Sequence, residues 1–239
     1  MTDPATAPLP ASVLEALSRY DTPTICNAME IVAPHRRLIG FTTKPLVCPF
    51  PDLPPMVGYA RTVTIRATAA STVPSAEQQA RRIAYYEYVG TGPGPRISVI
   101  QDLDGAEVGF GAFWGEVQSN VHKALGCLGV VTDGSIRDIG QWAPGFQALA
   151  GSIGPSHAFV HADGFGGEVR VAGMAVKSGD LIHADRHGAI VIPLDIAAKL
   201  PDAAELCGRR ETPILDIARS PSFSLEKLKE ALARSAEIH

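Results

Sequence analysis

The sequence predicts an α/β fold with a helical C-terminal extension, and three observations carry that prediction. β-branched or apolar segments at 58–67, 96–103 and 127–131 are interleaved with helix-patterned segments at 76–89 and 116–125, the order that builds a sheet with helices on its faces. Two hairpin patterns follow at 170–176 and 181–193, punctuated by Gly173, Gly179 and Gly188. Residues 222–238 then place Leu225, Leu228 and Leu232 on one stripe of a charged segment, an amphipathic helix beyond the sheet-forming part. The division is a domain at 11–195 and an extension at 196–239.

Each element has a local reason. Residues 1–10 are rich in Pro and Ala and are expected to be disordered or draped on a neighbour. Val13, Leu14 and Leu17 have helical spacing, and a second helix is expected from about Thr24 with Ile25, Ala28 and Met29 on one face. Residues 33–58 contain six prolines and read as extended loop. In the strand 58–67, Arg61 and Arg66 are expected on the solvated side. The helix 76–89 carries an aromatic band, with Ile83 and Tyr86 three residues apart and Tyr85 and Val89 four apart, read as packing. The run 96–103 is an interior strand ending in the acids Asp102 and Asp104. In 116–125, Val117, Val121 and Leu125 recur every fourth residue, with His122 read as structural or exposed, and Cys127 in the next strand as an inert core thiol. Residues 140–150 form a weak helix interrupted by Pro144-Gly145, and 195–219 two short helices around Pro213.

Composition excludes several classes. The formal charge is −4 and no run of Lys and Arg exceeds two, so no nucleic-acid footprint is present. The four cysteines form no CxxC pair, which removes zinc-ribbon spacing and a disulfide framework. No apolar run spans a bilayer and the N-terminus does not read as a signal peptide, so a cytoplasmic protein without membrane or nucleic-acid partners is expected. Charged residues make up only 19% of the chain, which hints at surface covered in an oligomer.

The chemistry concentrates in 115–138, GEVQSNVHKALGCLGVVTDGSIRD. Twenty residues separate Glu116 from the pair Arg137-Asp138, so two acids and a cation can meet at one end of a helix–strand unit. Arg137 offers a planar fork for a carboxylate or enolate. Asp138 and Glu116 are hard oxygen donors suited to Mg²⁺ with water completing the shell. Gly109, Gly111 and Gly115 bracket Phe113 and Trp114, so main-chain amides there, near a helix start, can cradle a carboxylate or phosphate. Neither a dinucleotide fingerprint nor a Walker loop is present. Lys123 and Lys177 lie in polar surroundings, which makes a Schiff base the weaker mechanism. His157, His161 and Asp163, with His183 and His187 further on, form a separate candidate cluster, set against a polar lining or subunit contact.

With these residues in view, the chain resembles the RraA-like family, which includes class II 4-hydroxy-4-methyl-2-oxoglutarate/4-carboxy-4-hydroxy-2-oxoadipate aldolases. An acid, twenty residues and Arg-Asp mark those aldolases, and Glu116 with Arg137-Asp138 matches. GYARTVTI at 58–65 looks like the family's early strand, and GMAVKSGDLIHADRHGAIVIP at 173–193 like its closing hairpins. The resemblance implies a swivelling β/β/α fold in homotrimers or homohexamers, with sites between subunits. It implies Mg²⁺ or Mn²⁺ on Asp138, helped through water by Glu116. Arg137 would bind a small 2-oxo acid substrate, and the main chain of Phe113, Trp114, Gly115 and Glu116 would hold its carboxylate. The implied reaction is aldol cleavage or decarboxylation through a pyruvate enolate. Two positions depart from the pattern: Glu116 stands where the best-known aldolases have Asp, and a His-rich loop at 156–169 replaces an Arg- and Gly-rich passage. The alternatives are a non-enzymatic regulator that binds a ribonuclease, as some family members do, and a metal-dependent hydratase or dehydratase on the same fold.

Overall fold

The computed structural model describes residues 8–239; the segment 1–7, read from sequence as disordered or draped, lies outside the described residues. Two helices open the chain, α1 (Ala11–Leu17) and α2 (Thr22–Val32). Asp21 caps α2, its side chain accepting from the Thr24 amide, and Pro23 sits in the first turn where its missing N–H costs nothing. After the Pro-rich loop come β1 (Met56–Arg66), α3 (Ser75–Gly90), β2 (Arg96–Asp102), β3 (Ala112–Trp114), α4 (Glu116–Ala124), β4 (Cys127–Thr132), β5 (Ser135–Ile136), β6 (Gln147–Leu149) and β7 (Ser152–Ile153). The chain continues through β8 (His161–Phe165), the hairpin β9 (Val169–Val171) and β10 (Met174–Val176), and the hairpin β11 (Leu181–Asp185) and β12 (Gly188–Ile192). It ends in α5 (Leu200–Ala218) and α6 (Leu225–Ala236).

A mixed seven-stranded sheet forms the core, in the order β12-β11-β1-β2-β4-β6 with β8 also paired to β1. The β1–β2, β2–β4 and β4–β6 pairs are parallel, and β11 and β8 run antiparallel to β1. Both faces are covered. Met56, Ala60, Ile97 and Val99 pack with Val171 and Met174 of the small hairpin, while Val63, Ile65 and Ile100 pack with Tyr85, Trp114 and Phe146. Double coverage explains why the sheet strands read as apolar runs.

It also corrects the reading of Arg61. Because β1 is central, Arg61 is only 6% exposed. Its guanidinium donates to the Thr91 carbonyl and lies 5.6 Å from the centre of the Tyr88 ring. Burial pulls its pKa below the ordinary guanidinium value. Arg66, at the strand's end, is exposed as expected, 3.6 Å from Asp163.

Two helix assignments change. Residues 140–150 hold no α-helix: a single tight turn at Ile139–Gln141 leads through Pro144-Gly145 into β6. Residues 200–218 form one helix with Pro213 inside it, which α6 packs along. Pro213 removes one intrahelical bond but does not end the helix. The first turns of α5 complete a third core with α1 and α2, through Leu200, Ala203 and Ala204 against Leu17, Ile25 and Ala28. The tail helix places Ala231 inward, while Leu225 and Leu232 of the expected stripe are 62% and 49% exposed.

Candidate functional site

A second, three-stranded parallel sheet, β3-β5-β7, builds the site. Ala112 faces Ser135 and Trp114 faces Ile136 across the β3–β5 pair. The residues that leave each strand, Gly115-Glu116 and Arg137-Asp138, therefore emerge side by side. The twenty-residue spacing in sequence is the length of α4, β4 and the turn into β5. The Arg137 amide donates to the Trp114 carbonyl at 2.9 Å and locks the two exits together.

Gly115 is required by close approach. A Cβ there would lie 2.4 Å from Asp138 Oδ2, so any larger residue pushes the carboxylate away. With Gly in place, Asp138 Oδ2 reaches the start of α4 and accepts a long hydrogen bond, 3.3 Å, from the Glu116 amide. An anion at a helix start is favoured by the unpaired amides and the dipole. The resemblance gives this main chain to a substrate carboxylate, whereas in the structure Asp138's own carboxylate engages the Glu116 amide. Asp138 adopts left-handed backbone angles, φ 55° and ψ 38°, a conformation Asp tolerates better than most residues. Arg137 Nε stands 3.7 Å from Asp138 Oδ2, and both side chains are about one-third exposed, at 35% and 36%. Glu116 is exposed. Phe113 is half-buried and Trp114 fully buried.

The face of α4 that packs differs from the expected one. Val117 is 69% exposed, and Ser119 and His122 are the buried positions. Ser119 Oγ accepts from the Ala143 amide, and His122 meets the Tyr85 hydroxyl and the Gln118 carbonyl. Burial drives the His122 pKa down to about 4, so the ring is neutral at pH 7. The four-residue repeat of valine and leucine concealed a polar inner face. Cys127 is buried with its thiol pKa pushed up to about 11 by burial, an inert core cysteine as expected.

The histidine candidates separate. His157 lies outside the strands, His161 and Asp163 sit two apart on β8, and His183 is fully buried between Thr22 and the carbonyls of Leu17 and Tyr20. His187 pairs with Asp185 at 3.1 Å. Among the described residues, no three or more His, Cys, Asp or Glu side chains gather as a potential metal-ligand set. Asp133, which no sequence motif singles out, carries the largest resolved carboxylate shift among the described residues. Burial raises its pKa to about 6, and its Oδ1 accepts from the Asp102 amide at 2.8 Å. Its position at the carboxyl end of a parallel strand was the available signal.

The mixed sheet with flanking helices, the small second sheet carrying the Glu116 and Arg137-Asp138 exits, and the helical extension define an α/β protein. The chain belongs to the RraA-like family, Aldolase/RraA, which matches residues 22–191. Among solved structures it is similar to a protein of Pseudomonas syringae pv. tomato, with 20% identity over 95% of this chain and 99% of the other and a TM-score of 0.68. Streptomyces coelicolor RraAS2, described as an unusual member of the RNase ES inhibitor RraA protein family, shows 21% identity over 87% and 97% with a TM-score of 0.67. A structure titled as a novel cellulase from gut-associated microbes shows 18% identity over 89% and 91% with a TM-score of 0.70. At these identities the likeness concerns the fold. No curated protein matches the sequence significantly. Among the described residues no helix is long and apolar enough to cross a membrane.

Proposed function

We propose that the chain is a divalent-metal-dependent lyase that cleaves a small 2-oxo acid by aldol cleavage or decarboxylation. The observation that supports it is the meeting of Asp138, Arg137 and the Gly115-Glu116 helix start at one corner. The donor set fits Mg²⁺ or Mn²⁺: Mg²⁺ is commonly held by one or two carboxylates with water completing an octahedron, and Asp138 and Glu116 supply two accessible ones. When bound, such an ion polarises the 2-oxo group and offsets the negative charge that grows there. Arg137 binds the substrate carboxylate and 2-oxo oxygen, and its fixed charge orients the bond to be broken. The amides at the start of α4 add positive potential on the same side.

The test is to incubate the protein with Mg²⁺ and a panel of hydroxylated 2-oxo diacids and oxaloacetate, and to follow pyruvate. Turnover lost in Asp138→Asn supports the reading; no turnover with any of them sinks it. Products that retain every carbon would point instead to a hydratase or dehydratase at the same corner.

A second reading is a non-enzymatic regulator that binds a ribonuclease. Two observations favour it: the likeness to a protein described as belonging to an RNase ES inhibitor family, and the lack of a three-donor cluster among the described residues. Taken together, these findings support it better than the lyase, whose support is the corner geometry alone. Ribonuclease inhibition that survives Asp138→Asn, without pyruvate release by the native chain, decides for it.

A further inference from the structure

A sizeable cavity lies away from the Arg137-Asp138 corner. It has a volume of about 910 Å³ and lies between α3, the loop that precedes it, β8 and the β3–α4 junction. That volume suits a small organic molecule. Its wall is aromatic: Tyr86, Phe113 and Phe165 line it, gathered around Tyr85 at ring distances of 5.3, 6.1 and 6.1 Å. Tyr86 is held in place by a hydrogen bond to Gln118 of α4, 3.2 Å. Phe165 remains 40% exposed, so an apolar face is left for an occupant to cover.

The polar lining selects the occupant's charge. Arg66, Arg81 and Arg82 lie in the lining against a single acid, Asp163. Asp163 stands 3.6 Å from Arg66, and Arg81 pairs with Glu77 on its own helix. Among the described residues Arg82 has neither an ion pair nor a hydrogen bond, which leaves one full positive charge without a partner beside the aromatic wall. His161 also lines the cavity. Its Nδ1 donates to the Phe159 carbonyl at 2.8 Å, which leaves Nε2 as the ring nitrogen available to a hydroxyl group.

We infer that this cavity is a binding site for an aromatic carboxylate, with the ring against Tyr86, Phe113 and Phe165, the carboxylate on Arg82, and a ring hydroxyl within reach of His161. A guanidinium binds a carboxylate strongly, and stacked rings favour a flat apolar body over a short aliphatic chain. Glu116, Arg137 and Asp138 do not line the cavity, although Phe113, whose main chain the resemblance gives to the substrate carboxylate, does.

The experiment is calorimetric titration of the full chain with 4-hydroxybenzoate, benzoate and pyruvate. Saturable binding of 4-hydroxybenzoate is expected, weaker binding of benzoate, and no Arg82-dependent binding of pyruvate. Arg82→Ala should weaken 4-hydroxybenzoate about tenfold or more, the usual cost of losing a charge-assisted bond. Phe165→Ala should weaken it independently, and Asp138→Asn should leave it unchanged. Arg82 and Phe165 are exposed, so both variants keep the fold, which circular dichroism verifies. The inference is overturned by absence of saturable binding at about 10 mM ligand. It is equally overturned by affinity indifferent to Arg82→Ala and Phe165→Ala, by pyruvate binding as tightly through Arg82, or by loss of binding in Asp138→Asn.

Discussion

The two ends of α4 are built by opposite rules. At its start, Glu116 and the neighbouring Arg137-Asp138 pair are accessible to solvent, and one long hydrogen bond and a 3.7 Å ion pair connect them. Within the next two turns, Ser119 and His122 are buried and hydrogen-bonded. The start is open to solvent; the inner face fixes the helix so that the start stays in place. A change at the first end should therefore alter chemistry and leave stability nearly intact, and a change at the second should do the reverse.

Asp138→Asn should break the comparison most sharply at its chemical end. Asn keeps the size and can still accept from the Glu116 amide, but it loses the charge proposed to hold a cation. Pyruvate release should fall about a thousandfold, roughly 4 kcal/mol in barrier, while the thermal midpoint moves little. Activity within a few-fold of the native chain would remove Asp138 from the proposed mechanism.

At the inner face, His122→Ala should cost about 3 kcal/mol, because it opens a cavity and leaves the buried Tyr85 hydroxyl without its partner. The same histidine sets an acid sensitivity. Its folded pKa, about 4, lies below the ordinary 6.5, so the unfolded chain binds the extra proton between those values. Stability is complete above pH 6.5 and is lost as pH falls toward 4, by up to about 3 kcal/mol from this group. Urea melts across that window should show the slope in the native chain and a shallower one in His122→Gln. Equal slopes would show that another group controls the acid limb.

Gly115→Ala joins the two ends. The added Cβ meets Asp138 Oδ2 at 2.4 Å, and the flexible carboxylate rather than the backbone yields. A loss of about 1 kcal/mol is expected, with a larger proportional fall in activity and a raised metal requirement. Activity that falls only as much as stability would mean that the position of Asp138 is unimportant.

The contrast also explains what was legible in the sequence. Strand and hairpin segments were, because Val, Ile and Gly mark them locally. The adjacency of Glu116 and Arg137-Asp138 was, because one spacer sets their distance along the chain and the parallel pairing of β3 with β5 brings the two exits together. The burial of Arg61 was not, since it depends on β1 lying at the centre of a sheet that closes only with β8 and β11. The inner face of α4 was hidden for a related reason: Val117 and Val121 obey helical spacing, but the partners of Ser119 and His122 come from α3 and the 139–146 segment. The aromatic band of α3 reads as packing along its own helix. Tyr86 becomes part of a cavity wall only when β8 brings Phe165 beside it.

Asp133 offers the smallest effect and the finest discrimination between a residue kept for structure and one kept for chemistry. It is partly buried with a pKa raised to about 6 from 3.8, chiefly by desolvation. The folded chain therefore binds the proton more readily than the unfolded chain between those values. Its carboxylate weakens the fold as pH rises through that window, and the full cost is present above pH 6. Asp133→Asn removes the charge while its side-chain oxygen still accepts from the Asp102 amide. After allowance for solvent screening of a group that is partly exposed, the variant should be more stable by about 1 kcal/mol at pH 7.5 and unchanged at pH 3. Chemical denaturation at the two pH values measures this directly. A gain at neutral pH with activity intact identifies Asp133 as a residue the fold merely tolerates. A gain accompanied by lost turnover would move it into the working site, because a carboxylate held at a cost to stability is then held for its chemistry.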